Sequence, residues 1–247
     1  ATAGAVVFGA AWAYIPAYLQ AKRGSHVVIT TIMFNFIASS LMVFLLVDVI
    51  RDFKQMGPHT VALPKELWFP TFKELAHLFG VKIRYSPLNL SFLIAIAASF
   101  FVWFLIWKTK WGYEMRAVGH NTKAAIYAGI SPHKNIIIAM LISGGLAGML
   151  GINEILGVHH KIVAGFPAGY GFTGIAVALM GRNHPVGIFP AAFLFGILYQ
   201  GGSEVTFDMP NITRYMFVAV QGVIILFSGA LENLFRPQIE SFFVNRI

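Results

Sequence analysis

The stretch Arg116–Asn135, RAVGHNTKAAIYAGISPHKN, is a polar and basic interruption between two apolar runs, 88–107 and 136–152. An α-helix needs roughly 20 residues to cross the hydrocarbon core of a bilayer, and each run is close to that length. Both runs are continuously apolar and do not alternate, which favours helices over the strands of a membrane barrel. This part of the chain therefore predicts two membrane helices joined by a structured polar connection.

The same character extends over the whole chain, which is 57% hydrophobic and only 11% charged. A soluble domain averages about 25% charged residues. The predicted fold is an all-α, polytopic transmembrane helical bundle. Its seven candidate spans contain no Asp, Glu, Lys or Arg, and they are 1–21, 27–47, 88–107, 136–152, 162–181, 185–203 and 215–231.

The fifth candidate span is unusual, because Pro167 and several glycines fall within it. Irregular backbone at membrane depth survives only where protein or a watery cavity covers it. We therefore predict a broken or re-entrant segment there, which leaves six to seven spans. The first residue is Ala1, already inside an apolar run without a basic leader. We interpret residues 1–247 as a single membrane domain whose N-terminal spans are missing, and not as a signal peptide followed by a domain.

The basic residues fall mainly on one side of the predicted topology. If the connector 22–26 is cytoplasmic, that side carries ten basic and three acidic residues, or +7 of the total charge of +8. Short cytoplasmic loops are enriched in Lys and Arg. The segment 108–135 and the C-terminus are therefore predicted to be cytoplasmic. The long loop 48–87 is predicted to be external, as a cap that receives a partner protein or as a solvated loop. The topology accounts for the basic charge without nucleic acid.

Helix start and stop signals lie inside the opening stretch. Asn121 is a good N-cap, a short helix is predicted over Thr122–Tyr127, and Gly129 is placed to end it in the left-handed conformation. Ser131 and Pro132 form a second start signal, with serine as N-cap and proline at the first helical position. The next membrane span is expected to begin near residue 136.

A helix of six residues is not stable alone in water, so this one must pack against another surface. Its small residues Ala124, Ala125 and Ala128 would allow close approach. Two interpretations are open at this point. The helix lies on its own protein as part of an ordinary cytosolic loop, or it is a coupling helix that inserts into a cytoplasmic motor.

Three longer stretches carry a family resemblance. GYEMRAVGHNTKAAIYAGIS (112–131) is similar to the cytoplasmic coupling segment of ATP-binding-cassette (ABC) transporter permeases of the simple-sugar and nucleoside uptake group. KRGSHVVITTIMFNFIA (22–38) and GYGFTGIAVALMGRNHPVGIFPAAFLFGIL (169–198) also resemble segments of that group, which belongs to the branched-chain amino acid/ribose-type permease superfamily. The resemblance extends from about Gly9 to Gly229 and is weakest in the loop 48–87. His26 departs from it, since an acidic residue is frequent there.

The resemblance implies a permease subunit that imports a nucleoside or a simple sugar across the plasma membrane. It implies four partners: an ATPase subunit that binds ATP and Mg²⁺, a second permease subunit, identical or homologous, an extracytoplasmic solute-binding protein, and the lipid bilayer. No catalytic residue, cofactor or metal site is expected in this chain. The residues that match the coupling segment are Arg116, Gly119, Asn121, Ala124, Ala125 and Gly129.

Candidates for the translocation pathway are the polar and aromatic residues of the spans. They are Asn35, helped by the family motif, and the aromatic residues Phe166, Tyr170 and Phe172. Each of them could instead pack or hydrogen-bond against a neighbouring helix. The stretch 169–174, GYGFTG, fits G-x-G-x-x-G, but without a strand–turn–helix context it does not indicate nucleotide binding.

Small residues recur in the fourth span as Gly144-x-x-x-Gly148 and Ala147-x-x-x-Gly151. This spacing predicts tight helix packing in the membrane, within the chain or between protomers.

Beyond the end of that span, Glu154, His159 and His160 raise the question of a metal site. We interpret them instead as an interfacial polar loop. Asn89-Leu-Ser91 is formally a glycosylation sequon, which we interpret as accidental.

An ion-coupled secondary transporter is the main alternative function, and the broken fifth span suits it. Ion pathways usually need ionisable residues inside the membrane, and the predicted spans contain no carboxylate. A purely structural membrane anchor is a third alternative, which the coupling-like helix and the glycine-rich break disfavour.

Overall fold

The computed structural model describes residues 2–51, 57–72, 88–166, 169–209, 216–224 and 226–227. In this part of the chain, all regular secondary structure is helical, which confirms the all-α prediction. The α-helices are α1 (Thr2–Arg23), α2 (Val27–Phe44), α3 (Ser91–Lys108), α4 (Lys110–His120), α5 (Thr122–Tyr127), α6 (Pro132–Ile152), α7 (Tyr170–Met180) and α8 (Pro185–Asp208). Two π-helical turns, Leu45–Val49 and Asn153–His159, continue α2 and α6, and Lys65–Leu67 is a 3-10 helix.

Five of these helical segments are long and apolar enough to cross a membrane, and they are Thr2–Arg23, Val27–Val49, Ser91–Lys108, Pro132–His159 and Pro185–Thr206. They correspond to five of the seven predicted spans. The predicted break in the fifth candidate is confirmed, because α7 has only 11 residues and would extend over about 17 Å. The predicted Pro167 lies outside the described residues. Of the seventh candidate, residues 216–224 are described and are helical.

Several helices extend beyond the predicted span boundaries. Helix α6 begins at Pro132 instead of near residue 136, and its π-helical continuation ends at His159 instead of 152. Helix α8 ends at Asp208 instead of 203. The extended helical segments include Asp48, Glu154 and Glu204, so the prediction that the spans contain no carboxylate does not hold for the helices of the structure. Hydropathy cannot detect this, because a helix continues into the membrane interface, where polar residues are tolerated.

Helices α1 and α6 form the tightest packing in unit 1, the compact unit Ala1–Ala168. A Cβ atom added to Gly144 or Gly148 would lie within 3.0 Å of Ala13 or Ala5 of α1. Gly144 faces Ala13, whereas Gly148, further along α6, faces the earlier residue Ala5, so the two helices are antiparallel. The predicted small-residue packing is confirmed at Gly144 and Gly148, with α1 of the same chain as the partner.

Unit 2, Gly169–Ile247, has a separate small core. Ala176 and Val177 of α7 are buried against Ala191 and Phe195 of α8. Much of the remaining apolar surface is exposed, for example Phe193 at 72%. Exposed apolar surface of this extent suits contact with lipid.

The charged residues of unit 1 divide between its two ends. Helix α1 ends where the antiparallel α6 begins, and α3 leads through α4 and α5 to that same point. We call this region the basic end. Its described charged residues are Lys22, Arg23, Lys108, Lys110, Arg116, Lys123, Lys134 and Glu114, a net charge of +6. The described charged residues at the opposite end are Arg51, Lys65, Lys161, Asp48, Glu66 and Glu154, which cancel.

At the opposite end, the described part of the loop 48–87 packs on the end of α6. The Trp68 indole stacks on the His160 imidazole with ring centroids 3.8 Å apart. The Phe69 and Leu63 amides donate to the carbonyls of Leu156 (3.0 Å) and His160 (2.8 Å). This portion is therefore anchored to the bundle, whereas 52–56 and 73–87 of the predicted loop lie outside the described residues. Its predicted external location stays a prediction, as does the cytoplasmic C-terminus, which also lies outside them.

Candidate functional site

The predicted coupling segment begins with a sharp reversal between α3 and α4. The Thr109 hydroxyl accepts a hydrogen bond from the Gly112 amide (3.2 Å) and donates to the Leu105 carbonyl. A Cβ atom on Gly112 would lie within 3.0 Å of the carbonyl oxygen of Leu105. Only glycine allows this approach without movement, so α4 is held closely against the last turn of α3. Helix α4 was not predicted from the sequence, although Trp111 and Met115 have the i, i+4 spacing of one helical face.

Helix α5 begins and ends as predicted. The Asn121 side chain accepts from the Ala124 amide at 3.1 Å, which confirms the N-cap. Gly129 has φ +78°, which confirms the left-handed stop. The Ile130 amide donates to the Ala125 carbonyl and the Gly129 amide to the Ile126 carbonyl, each at 2.9 Å. This pair of bonds is the Schellman motif, and it satisfies carbonyls that a helix end otherwise leaves unpaired.

The start of α6 is only partly as predicted. Pro132 occupies the first helical position, and Ser131 has extended backbone angles, but the Ser131 side chain makes no capping hydrogen bond. The buried Asn135 side chain instead donates to the Ser131 carbonyl (3.1 Å) and to the Glu114 carboxylate of α4 (3.4 Å). Asn135 therefore joins α4 to the start of α6. An asparagine in the first turn of an apolar helix was the available signal, and it was missed.

The faces of α5 differ from the prediction. Of the three alanines expected to form one contact face, only Ala125 is buried, at 3% exposure. Ala124 is exposed because a residue and its neighbour lie about 100° apart on a helix, and Ala128 is exposed at the C-cap, beyond the last residue of α5. The side chain of Tyr127 projects outward at 94% exposure. The helix thus rests on its own protein through Ala125 and presents an apolar and aromatic surface on its other side.

Two further predicted coupling residues lie on α4. The Arg116 guanidinium lies over the Trp107 ring, 5.3 Å from its centroid, in a cation–π contact. Gly119 is exposed, and an added Cβ atom there would meet nothing within 4 Å. Asn121, Ala125 and Gly129 therefore shape the segment, whereas Gly119 and Ala124 lie on its surface. Their roles in coupling stay predictions.

The four predicted pathway residues divide between the two units. Asn35 is exposed on α2, and Phe166 is half-buried in the turns that precede α7. In unit 2, Tyr170 packs edge-to-face on Tyr199 with centroids 6.0 Å apart, and Phe172 is exposed. Their predicted role in translocation stays a prediction.

A polar cluster that was not predicted from the sequence lies at the opposite end of unit 1 from α5. It consists of Asn89, Ser91, Asn153, Glu154 and His159. The Asn89 amide donates to the Asn153 side-chain oxygen (3.3 Å), and the Ser91 hydroxyl lies within hydrogen-bonding distance of both asparagine oxygens. The Asn153 amide donates to Glu154 (3.2 Å), whose other oxygen lies 3.6 Å from His159. Asn89 and Glu154 are 5% and 7% exposed.

The interpretation of Glu154, His159 and His160 as an interfacial loop is wrong. Glu154 and His159 belong to the π-helical turn, which His160 ends with φ 55°. No group of three His, Cys, Asp or Glu side chains suited to a metal is present among the described residues. The Asn89-Leu-Ser91 triplet has a structural use, because the Asn89 side chain accepts from the Ser91 amide at 3.1 Å where α3 begins. Asn89 and Asn153 are 64 residues apart, so no local pattern could pair them.

A cavity of about 630 Å³ lies beside this cluster, between α3 and α6, and it is open to the surface at Phe92 and Val158, which are 46% and 52% exposed. Asn89, Ser91 and Asn153 form its polar lining, and its remaining lining is apolar. Such an arrangement, mostly apolar with a few convergent polar groups, is typical of small-molecule sites.

Comparisons with known proteins show the family to which this chain belongs. The family described as "Branched-chain amino acid transport system / permease component" matches residues 1–229. The chain is 37% identical over 224 residues to the guanosine ABC transporter permease protein NupP of Bacillus subtilis, a match that covers 90% of this chain and 62% of the relative. It is 35% identical over 231 residues to the glucose ABC transporter permease protein TsgB13 of Haloferax volcanii, covering 90% and 58%.

A third relative is the nucleoside ABC transporter permease protein NupB of Lactococcus lactis, 34% identical over 218 residues, covering 87% of this chain and 59% of the relative. The chain thus spans about three fifths of the length of these relatives. No solved structure matches the chain significantly. All three relatives are named as permease proteins and not as enzymes, in agreement with the resemblance in the sequence. The chain belongs to the family of permease components of branched-chain amino acid type transport systems.

Proposed function

We propose that this chain is the membrane-spanning permease subunit of an ABC importer that moves a nucleoside or a simple sugar across the plasma membrane. A separate ATPase subunit would bind and hydrolyse ATP. The relatives support this proposal, since they are named as ABC permeases for guanosine, glucose and nucleosides.

The observation that carries the proposal is the construction of α5. It is a short helix with a side-chain cap at Asn121 and a glycine stop at Gly129. It is too short to be stable alone, yet it holds Tyr127 almost fully exposed. If the segment were an ordinary solvated loop, an exposed tyrosine on an ordered helix would have no packing role. At a protein interface, such a tyrosine commonly contributes to binding.

The contacts around α5 suit the transmission of a displacement. Helix α4 is held against α3 at Gly112, and Asn135 joins α4 to α6 through Glu114. A motor that moved Tyr127 would therefore displace a connected element and not a loose tether. Since α3 and α6 are both candidate membrane spans, this displacement would reach the bundle directly and alternate its access.

The proposed orientation places the basic end in the cytoplasm with the ATPase. This agrees with the net charge of +6 on the described residues of that end, whereas the charges of the described residues at the opposite end cancel. The segment 57–72 would then face outward, where an extracytoplasmic binding protein delivers the solute. A second permease subunit would complete the pathway. Labelling of Lys123 by an impermeant amine reagent in intact cells would contradict this orientation.

An ion-coupled secondary transporter remains the second candidate, and one observation favours it. Glu154 is a buried carboxylate within a candidate span, beside His159. Buried ionisable groups in membrane helices commonly mark ion pathways. In the importer, the same carboxylate would orient Asn153.

The deciding experiment is uptake of radiolabelled guanosine and glucose into vesicles that contain the full-length complex. Uptake that needs ATP hydrolysis and is unaffected by a protonophore, with ATP held constant, supports the importer. Uptake that follows the proton gradient without ATP supports the secondary transporter. Tyr127→Ala is expected to abolish ATP-dependent uptake. Tyr113→Ala, which removes another exposed tyrosine at the same end (62% exposed), is its control and should retain uptake.

A further inference from the structure

The cavity between α3 and α6 lies within unit 1 and at the end opposite α5. Its volume of about 630 Å³ falls within the range of roughly 300–1,000 Å³ that small-molecule sites occupy. The cavity lies beside the packed segment 57–72, at the end where solute arrives under the proposed function. None of the pathway residues predicted from the sequence belongs to its lining.

The polar edge of the cavity is built from neutral groups. Asn89, Ser91 and Asn153 line it, and each provides an amide or hydroxyl group. Glu154 lies behind this edge and accepts from the Asn153 amide at 3.2 Å. An amide nitrogen held in this way directs the Asn153 oxygen toward Asn89 and Ser91, so the carboxylate positions the edge without bringing a charge into the lining. The edge therefore suits an uncharged ligand with both donors and acceptors.

The rest of the lining is apolar, with the Phe92 ring and the aliphatic or thioether side chains of Leu146, Met149 and Val158. A hexose carries hydroxyl groups around its whole ring, and most of them would lose their hydrogen bonds to water in such a site. A nucleoside carries its hydroxyl groups on the ribose alone, which can stay at the open side of the cavity. Its base concentrates its polar atoms at the edge and has two flat faces that aromatic and apolar side chains can cover.

We infer that this cavity is a nucleoside-binding site, with the base edge on Asn89, Ser91 and Asn153 and a base face against Phe92. This inference rests on the proposed function and narrows its substrate from two classes to one. The π-helical turn contributes to the site, because it places Gly157 directly behind Asn89. A Cβ atom on Gly157 would lie within 3.0 Å of the Asn89 amide nitrogen, so any larger residue displaces the polar edge.

The test uses the full-length complex in nanodiscs, with tritiated guanosine as the probe in an equilibrium binding assay. Ala98 lines the cavity, whereas the adjacent Ala97 on α3 is exposed and does not. Ala98→Phe should weaken guanosine binding at least about tenfold by filling the cavity. Ala97→Phe, which adds the same side chain outside it, should leave the dissociation constant within about twofold of the parent. Equal affinities for the two variants would overturn the inference.

A second measurement covers the case in which the variants fail to assemble. Photolabelling of the unmodified complex with 8-azidoguanosine, followed by peptide mass spectrometry, should modify α3 or α6 near Phe92 or Met149, and excess guanosine should prevent it. Labelling confined to unit 2, or a cavity occupied by phospholipid that guanosine does not displace, would overturn the site. ATP-dependent uptake of glucose without any nucleoside would overturn the site while the importer function stands. Absence of ATP-dependent uptake for both solutes would instead remove the proposed function.

Discussion

Replacing Gly129 with valine tests the link between the end of α5 and transport most directly. The residue has φ +78°, and two backbone bonds of 2.9 Å, from its own amide and from that of Ile130, close the helix. An added Cβ atom would meet nothing within 4 Å. The effect of the substitution is therefore conformational and does not come from a clash with neighbouring residues.

The size of the effect follows from this geometry. An L-residue in the left-handed region costs about 1–2 kcal/mol relative to its ordinary conformation, and a β-branched side chain is disfavoured further. Since each 1.4 kcal/mol corresponds to about tenfold in a population, Gly129→Val should lower the population of the closed helix end by about tenfold or more. Asparagine tolerates this conformation, so Gly129→Asn should lose much less.

Uptake normalised to the amount of permease in the membrane is the appropriate assay. Gly129→Val is expected to insert normally and to lose about tenfold of its transport rate, while Gly129→Asn stays near the parent. Gly119→Ala is the control for the loss of a glycine in the segment, because an added Cβ atom at this exposed position also meets nothing within 4 Å. It should transport near the parental rate. If Gly129→Val transports at the parental rate, or if Gly129→Asn fails equally, the stop at α5 does not govern coupling.

Three other substitutions probe the fold around this segment and its opposite end. Gly148→Val should separate α6 from α1 and lower the thermal unfolding temperature in detergent, whereas Gly151→Val, where an added Cβ meets nothing within 4 Å, should change it little; equal shifts would contradict the packing argument. Asn121→Ala removes an N-cap and should destabilise α5 by about 1 kcal/mol, measured as faster amide hydrogen exchange there, and unchanged exchange would exclude the cap. Trp68→Ala removes the stacking on His160, so limited proteolysis of 57–72 should accelerate. An unchanged rate would show that the backbone hydrogen bonds alone hold the segment.

The sequence predicted the features that depend on neighbours along the chain. Asn121 caps an amide three residues away, and the Gly129 stop involves only the preceding turn. Such bonds follow from residue type and spacing, and both predictions are confirmed. The pairing of Gly144 with α1 was predicted only as packing, because spacing identifies a small-residue face but not its partner.

The features that the sequence did not predict depend on distant contacts or on helix ends. Asn89 and Asn153 meet across 64 residues, and each asparagine alone is unremarkable. The burial of Glu154 was missed because a charged residue after an apolar run normally signals that the helix is leaving the membrane. The π-helical turn continues α6 by seven residues and keeps that carboxylate inside the helix. Tertiary contacts, and not composition, decide whether a helix ends or continues as a π-helix.

Helix α6 connects the predicted coupling segment with the proposed nucleoside site. Its first turn carries Asn135, which contacts α4 of the coupling segment, and its π-helical continuation begins at Asn153, on the edge of the cavity. The distance along the helix axis between these two residues is about 27 Å, most of a bilayer core. Close packing of Gly144 and Gly148 on α1 keeps the helix aligned between them. Under the proposed function, a displacement at α5 that moves α6 relative to α3 would change the position of Asn153 relative to Asn89, and so open or close the polar edge of the cavity.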